Sequence, residues 1–506
     1  MKNWLYKWYP LILILSIGAI FRFAMLKFRG DFTFDEMFSV RFSSLSWSES
    51  LRYWIIETNP PLYNFLLRYW LKIWPVQEWL VRLPSLIFGL LTILMVYVIG
   101  LKFFNKKTGI IAALLISLSS LNIYLSTEAR AYSLFLLLTA FSIYLFLALM
   151  SEKETSYKKI ILYIGTQTLL LYTHLTAVLM PILQILVTLL SAQEDKRAKR
   201  IIFYSNFVSA IFFSIWFLPS LLNKLTTNTL NGWYFSQQTG QPFFFALATL
   251  FLNPNASAGL MTFFIIFMVF ILGAGSLIFL KKIKTKEIKP SPYLFLFSLT
   301  LVPPLLALIV GINGSKYFSL SLPALSLLFG WTISQYKEKR IALSLTLIAS
   351  LLLLPSALDT STTTFFSWQP IINYIHKNET KTSLILINPF NEELDFTKYY
   401  QGSTPSKGIY LRADNLSLNE RIVRYNWQAY PTIEADLDLW LKKQTADKSQ
   451  VFLIEYTPQI NKLSLQWFLK NGWQLVDWKK TGGKLNLFLF DFHAPNFNTT
   501  TSTIQQ

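Results

Sequence analysis

Cysteine is absent from the 506 residues, so the chain can form no disulfide framework and offers no thiolate for catalysis or metal binding. Charge is also scarce, with 14% Asp, Glu, Lys and Arg against roughly 25% in soluble domains. What fills the space is apolar: 53% of residues are hydrophobic, 16% are aromatic, and the mean hydropathy is +0.40. These values place the chain in the membrane class before any motif is read. Acids are the scarcer sign, 27 against 46 Lys and Arg, giving a net charge of +19. That excess does not point to nucleic acid, because the cations sit in short clusters between apolar runs, as the positive-inside rule expects. No internal repeat is visible.

The clusters order a topology. Lys2 and Lys7 precede a first apolar run at about 9–27, which is too long for a signal-peptide core and lacks a small-residue cleavage site. It reads as a retained anchor. Further runs lie at about 80–101, 109–125, 131–150, 160–173, 174–191, 201–219, 260–280, 291–311, 316–335 and 340–356. Basic clusters recur at Lys102/Lys106/Lys107, Lys153/Lys158/Lys159, Lys196–Arg200, Lys281–Lys289 and Lys337–Arg340. All become cytoplasmic if the N-terminus is inside and the chain crosses about eleven times. Residues 160–191 must then cross twice, as a hairpin turning near Thr173 and His174. Two spans of about 16 residues are short for a ~30 Å core, which local thinning of the bilayer accommodates.

Beyond about residue 356 the composition changes to Asn, Asp, Lys and Thr mixed with short apolar runs. Ser383–Asn388, Val451–Tyr456 and Leu485–Phe492 read as strands, with helical stretches at Pro370–Lys377 and Ile433–Lys443. The expectation is a polytopic α-helical membrane domain over 1–356 and a soluble α/β domain over 357–495. An odd number of crossings puts the latter outside. Residues 496–506 are polar and Thr-rich, and read as a disordered tail.

Ionisable residues beside apolar runs are costly and carry functional hypotheses. The first loop, about 28–79, begins with Asp31, Asp35 and Glu36 and continues through Glu57, Asn59, Pro60, Pro61 and Tyr63. The proline pair stops one helix and permits another, so interfacial helices are expected at Phe42–Glu57 and Leu62–Trp74. Glu128, Arg130 and Tyr132 join two later spans, His174 lies at the hairpin turn, and Lys316 and Tyr317 open another span. In the topology above all these positions share the outer face with the acidic loop. A carboxylate there suits a general base, and Arg, Lys and Tyr suit a phosphate. That combination fits attack by a hydroxyl on an anomeric carbon whose leaving group is a lipid-linked phosphate. The bland alternatives are a solvated Asp35 pairing with Arg41, a Glu36 that orients the loop, an Asp31 that caps a helix, an Arg130 paired with Glu128, a structural His174 and a snorkelling Lys316. Trp70, Trp74 and Trp79 suit an interfacial belt better than a sugar platform.

These residues give the chain a resemblance to bacterial members of glycosyltransferase family 39, in the GT-C superfamily with protein O-mannosyltransferases and the aminoarabinose transferase of lipid A. The matching pieces are Phe34-Asp35-Glu36, Asn59-Pro60-Pro61-Leu62-Tyr63, Arg82-Leu83-Pro84-Ser85, Thr127-Glu128-Ala129-Arg130-Ala131-Tyr132, Leu171-Tyr172-Thr173-His174 and Lys316-Tyr317-Phe318. They cover about residues 1–335 and, more loosely, Trp368–Gly408. Each is weak alone, and their shared order and spacing make the set specific. The resemblance implies a GT-C membrane fold, a polyprenyl-phosphate-linked donor of a hexosyl or pentosyl group, and inverting transfer to a lipid, glycan or protein hydroxyl outside the inner or plasma membrane. It implies Asp35 as catalytic base with Glu36 beside it. Arg130, Lys316 and Tyr317 would contact the donor phosphate, and Asn59, Tyr63, Glu128, Tyr132 and His174 would complete the substrate site. Two positions depart from the pattern. Asn59 stands where relatives have His or Lys, which weakens a metal claim, so no metal is assigned and a divalent cation stays open. Lys316 stands where relatives commonly have Arg, keeping the charge and losing the bidentate fork.

The main rival is a transporter or lipid flippase, which would place ionisable residues near mid-membrane and show half-to-half symmetry. An oligosaccharyltransferase would carry a Trp-Trp-Asp motif in its outer domain, and this chain has none.

Overall fold

The computed structural model describes residues 2–57, 59–151, 156–191, 195–226, 241–312, 314–363, 367–411, 416–425, 434–456, 463–480 and 485–492. Lys153 of one basic cluster and the tail 496–506 lie outside the described residues. The chain forms two compact units, one of Met1–Phe28 with Phe42–Thr363 and one of Arg29–Arg41 with Thr364–Gln506.

The first unit is helical. In chain order the helices from the N-terminus are α1 (Lys2–Phe28), α2 (Phe34–Ser44, which straddles the boundary between the units), α3 (Trp47–Ile56), α4 (Leu62–Ile73), α5 (Glu78–Phe103), α6 (Lys106–Leu118), α7 (Ser120–Leu125), α8 (Tyr132–Ser151), α9 (Tyr157–Leu171), α10 (Leu179–Leu190) and α11 (Lys196–Thr226). They continue with α12 (Phe243–Ala248), α13 (Ala258–Lys284), α14 (Pro290–Ile309), α15 (Ser321–Ser334) and α16 (Lys339–Thr362). Among the described residues seven of these are long and apolar enough to cross a membrane: α1 from Trp8, α5, α8, α11, α13, α14 and α16. Each apolar run read from the sequence falls on one helix or an adjoining pair, the run at 109–125 being divided where the Ser119 side chain caps α7. The chain is thus a multi-pass membrane protein of helical architecture.

Contacts on α10 test the expected hairpin. Gln184 accepts a hydrogen bond from Tyr163 Oη at 2.6 Å and one from Gln167, both on α9, so α10 runs back along α9. Asn206 on α11 donates to Tyr163 Oη at 3.0 Å, and Ser209 Oγ donates to the Ile164 carbonyl at 3.1 Å. Gln184 also donates to Ser142 Oγ on α8 at 2.9 Å. One buried polar network therefore ties four helices, which matters where apolar burial gives helices little reason to choose one another.

The first loop differs from expectation. It forms three helices, because Ser46 caps α3 in a reciprocal box with Glu49, which ends the helix that starts at Phe34. The next helix starts after Pro61, as the proline pair predicts.

The second unit is a mixed α/β layer structure. It contains α17 (Gln369–Asn378), β1 (Ser383–Asn388), α18 (Glu393–Tyr399), β2 (Ser406–Gly408), α19 (Leu418–Tyr425), α20 (Glu434–Thr445), β3 (Gln450–Tyr456), α21 (Leu463–Lys470), β4 (Gln474–Lys480) and β5 (Leu485–Asp491). The sheet order is β2-β1-β3-β5-β4, with β1 parallel to β2 and β3, and β5 antiparallel to β3 and β4. One face, with Ile385, Ile387, Phe452 and Ile454, packs on Trp368, Ile372 and Phe396. The other, with Leu386, Val451, Leu453 and Phe488, packs on Leu437, Leu441 and Phe468. Burial on both faces explains why β1 and β3 read as unbroken apolar runs.

Candidate functional site

Each unit gathers part of the expected site. In the second unit, residues 29–41 are fastened to the α/β layers. Asp31 Oδ2 accepts the Trp368 amide at 2.7 Å and the Ser367 hydroxyl at 3.2 Å, so it does cap a helix, α17 rather than a neighbour in sequence. The Phe32 amide donates to Tyr399 Oη at 2.7 Å, and Arg41 donates to Asn419 at 3.1 Å. Asp35 and Glu36 occupy the first turn of α2, where negative charge is stabilised by the helix end. Glu36 is fully buried; its Oε2 accepts the Thr33 amide at 3.1 Å and its Oε1 lies 3.9 Å from Arg29 Nε. This geometry locks the loop around Asp35.

Behind that turn stands Asp395 on α18, a residue the sequence reading missed. Its carboxyl is completely buried, and neither oxygen has a hydrogen-bond partner among the described residues. Burial, then the neighbouring charges of Glu392, Glu36 and Asp35, hold its pKa well above the usual aspartate range. Nothing in the alternation of Leu394, Asp395 and Phe396 signals that the acid faces inward.

In the first unit, residues far apart in sequence come together. His174 lies 5.5 Å from the Tyr132 ring, 5.1 Å from Phe135 and 6.1 Å from Tyr317, between ring centroids. Lys316 Nζ sits 5.3 Å above the Tyr132 ring and 5.4 Å from that of Tyr317. The His174 Nδ1 accepts the Thr176 amide at 3.2 Å, capping the short helical turn Leu175–Val178 and leaving Nε2 to carry the proton. Burial first, then the charges of Lys316 and Arg130, push its pKa down to about 3, so the ring is neutral across the working pH range. The Arg130 amide donates to the Glu128 carbonyl at 2.8 Å, and Tyr124 Oη approaches Glu128 Oε1 at 3.5 Å.

The segment before α4 joins this group. The Leu62 amide donates to the Tyr172 carbonyl at 3.0 Å, placing the proline pair against the turn that carries His174. Tyr63 Oη lies 3.1 Å from Ser85 Oγ, and Asn59 donates to Glu57 Oε1 at 2.7 Å. The Glu57 carbonyl accepts Lys224 Nζ at 2.9 Å. Lys224 was also missed, although an ionisable residue ending an apolar run is the signal that would have found it. Among the described residues, no group of three or more His, Asp and Glu side chains is arranged to hold a metal ion.

Residues 58–218 match the family model described as dolichyl-phosphate-mannose-protein mannosyltransferase. No curated protein matches the chain by sequence. Among solved structures, the chain is similar to ArnT from Cupriavidus metallidurans bound to undecaprenyl phosphate, with TM-score 0.62 and 11% identity over 95% of this chain and 97% of that one. It is similar to the oligosaccharyltransferase AglB from Archaeoglobus fulgidus in complex with an inhibitory peptide and a dolichol-phosphate, with TM-score 0.55 and 12% identity over 96% and 74%. The mycobacterial arabinofuranosyltransferase AftD gives TM-score 0.55 and 13% identity over 98% of this chain and 40% of that one. The resemblance carried by the motifs is borne out by the family model over residues 58–218 and, over nearly the whole chain, by the fold these GT-C glycosyltransferases share.

Proposed function

We propose, from the GT-C fold and the residues gathered in each unit, that the chain is an inverting glycosyltransferase using a polyprenyl-phosphate-linked sugar. The acceptor would be a hydroxyl of a lipid, glycan or protein. The observation that carries this reading is the convergence of Tyr132, His174, Lys316 and Tyr317, with Arg130 close enough to act on the His174 ring. Cations beside a neutral, buried imidazole form an anion site that gains charge complementarity as a phosphate departs. Tyr63, Glu128 and Asn59 would shape its wall.

In the proposed reaction Asp35 takes the proton of the acceptor hydroxyl, whose oxygen attacks the anomeric carbon. The bond from that carbon to the phosphate oxygen breaks, and its electron pair leaves with the polyprenyl phosphate. Arg130 and Lys316 neutralise the leaving group, and the Nε2 proton of His174 is available to a phosphate oxygen without adding charge. Glu36 holds the Asp35 turn in place through Thr33 and Arg29. One displacement inverts the configuration. The eleven helical runs would all cross the inner or plasma membrane, with the N-terminus cytoplasmic and the α/β unit outside.

The test follows release of polyprenyl phosphate from a panel of polyprenyl-phosphate sugars, with a membrane extract as mixed acceptor. Asp35→Asn is expected to lower the rate about 10²-fold or more with folding unchanged. Equal release by Asp35→Asn, or no release from any donor, sinks the proposal.

A further inference from the structure

A groove of about 460 Å³ opens between α9 and α11, lined by Ile160, Ile164, Arg197, Arg200, Ile201 and Tyr204, with Ser205 and Val208 at its base. The two helices run parallel, since Tyr163 meets Asn206 and Ile164 meets Ser209. Their N-terminal ends therefore share one side, and that end is basic: Lys158 and Lys159 begin α9, and Lys196, Arg197, Lys199 and Arg200 begin α11. Arg197 and Arg200 face the groove, and both are exposed. Asp195, the nearest acid in sequence, accepts the Arg197 backbone amide at 3.2 Å. Among the described residues no carboxylate forms an ion pair with either guanidinium.

Polarity changes along the groove. The guanidiniums mark its mouth, and Ile160, Ile164, Ile201 and Val208 follow toward the middle of the helices. From Arg197 to Val208 the helix rises about 16 Å, close to the reach of one ordinary acyl chain and far short of a long polyprenyl tail. The groove is continuous with the exposed apolar surface of the same helices at Ile161, Leu162, Phe203 and Phe207. A ligand with one anionic head and an apolar chain matches this gradient, and both guanidiniums can fork onto phosphate oxygens.

We propose that the groove between α9 and α11 is a binding site for an anionic diacyl phospholipid, its phosphate held by Arg197 and Arg200 and one acyl chain lying along Ile160, Ile164 and Ile201. This ligand is distinct from the donor of the proposed reaction, and its recognition needs none of the residues assigned to that reaction. It extends the general attraction of basic helix ends for anionic leaflets to a shaped pocket.

Native mass spectrometry of the full chain, stripped of lipid in detergent, tests this. The protein is titrated with phosphatidylglycerol, with phosphatidylcholine of the same chains, with a polyprenyl phosphate and with inorganic phosphate. Phosphatidylglycerol is expected to be retained about tenfold better than phosphatidylcholine. Arg197→Gln with Arg200→Gln should shrink that ratio to roughly twofold or less, and Arg197→Lys with Arg200→Lys should restore part of it. Should the double glutamine variant fail to fold, Ile164→Trp fills the groove with its charge intact and should also lose the phosphatidylglycerol adduct. Equal retention of the two phospholipids would overturn the site. So would an unchanged preference in the variants, a polyprenyl phosphate adduct that is lost in the double glutamine variant as the phosphatidylglycerol adduct is, or inorganic phosphate binding as well as the lipid.

Discussion

Glu455, next to last in β3, is 1% exposed and accepts a hydrogen bond from Asn388 Nδ2 at 3.4 Å, with Ser464 as a second side-chain partner. Burial outweighs the hydrogen bonds of Asn388 and Ser464 and raises its pKa from 4.5 to about 7. A carboxyl that titrates higher in the folded than in the unfolded chain favours folding in its protonated form. Its contribution is therefore complete below pH 4.5 and lost as pH rises through 7. The interval corresponds to about 3 kcal/mol. Glu455→Gln keeps the acceptor without the charge, so it should leave thermal stability unchanged at pH 4.5 and raise it by several degrees at pH 8. A shift of the same size at both values would refute the assignment. Lys316 allows a matching test of charge: Lys316→Arg should preserve turnover, whereas Lys316→Met should cut kcat/KM by about 10- to 100-fold through lost phosphate neutralisation. Measured steady-state kinetics with the polyprenyl-phosphate donor separate the two. The pair also shows what was legible in the sequence. Lys316 interrupts an apolar run beside a Tyr and so attracted notice, while Glu455 reads as the polar end of an apolar strand whose burial only the packed sheet shows. Asp395 escaped for the same reason.

Helices were legible where apolar runs were long, because membrane length and hydropathy both mark them. The runs at 160–173 and 174–191 could be parsed as a hairpin only from the flanking charges, and the Tyr163–Gln184–Asn206 network gives that hairpin its physical basis. Gln184→Leu removes the acceptor shared by Tyr163 and Gln167 and the donor to Ser142. Each such bond contributes about 0.6 kcal/mol in membrane bundles, so a loss of roughly 1–2 kcal/mol is expected, read as a lower thermal midpoint in detergent. Close approach makes a second prediction. A Cβ at Gly109 would stand 2.7 Å from the Tyr97 carbonyl oxygen, and one at Gly330 would stand 2.6 Å from that of Thr108. Gly109→Ala should then force α5 and α6 apart and destabilise by about 1–3 kcal/mol, visible in the same melt, whereas Gly165→Ala, whose added methyl would meet no heavy atom within 4 Å, should be silent. The short elements were illegible for opposite reasons. β2 has three residues and no pattern to read, and β4 mixes exposed Val476 and Trp478 with Lys479 and a bulge after Leu475, as an edge strand does.

At the scale of the whole molecule, one arrangement of charge distinguishes two topologies. If α9 and α10 each cross the membrane, the clusters at Lys196–Arg200 and Lys281–Lys289 lie on the side of the N-terminus and the α/β unit lies opposite. If residues 160–191 made a single crossing, every later loop would be inverted and both clusters would face outward. The absence of cysteine makes the test direct, because any introduced thiol is the only one in the chain. Lys289→Cys, in the loop before α14, and Asp447→Cys, on the exposed loop before β3, report the two sides. With a membrane-impermeant maleimide applied to intact cells, Asp447→Cys should be labelled and Lys289→Cys should react only after permeabilisation. The reverse pattern would follow either from insertion of the whole chain the other way round, which carries Asp35 and Glu36 to the cytoplasmic side with the α/β layers, or from the loss of one crossing after α2, which leaves residues 29–41 outside. The first alternative would sink the proposed reaction as an extracytoplasmic one, since the general base would face the wrong compartment for a donor presented outside, and the second would part that base from the α/β layers that fasten it. Labelling of both positions from outside would require one inversion before α14 and a second between α14 and α16, and the same chemistry at Lys199→Cys would show whether the α9–α10 hairpin carries the first.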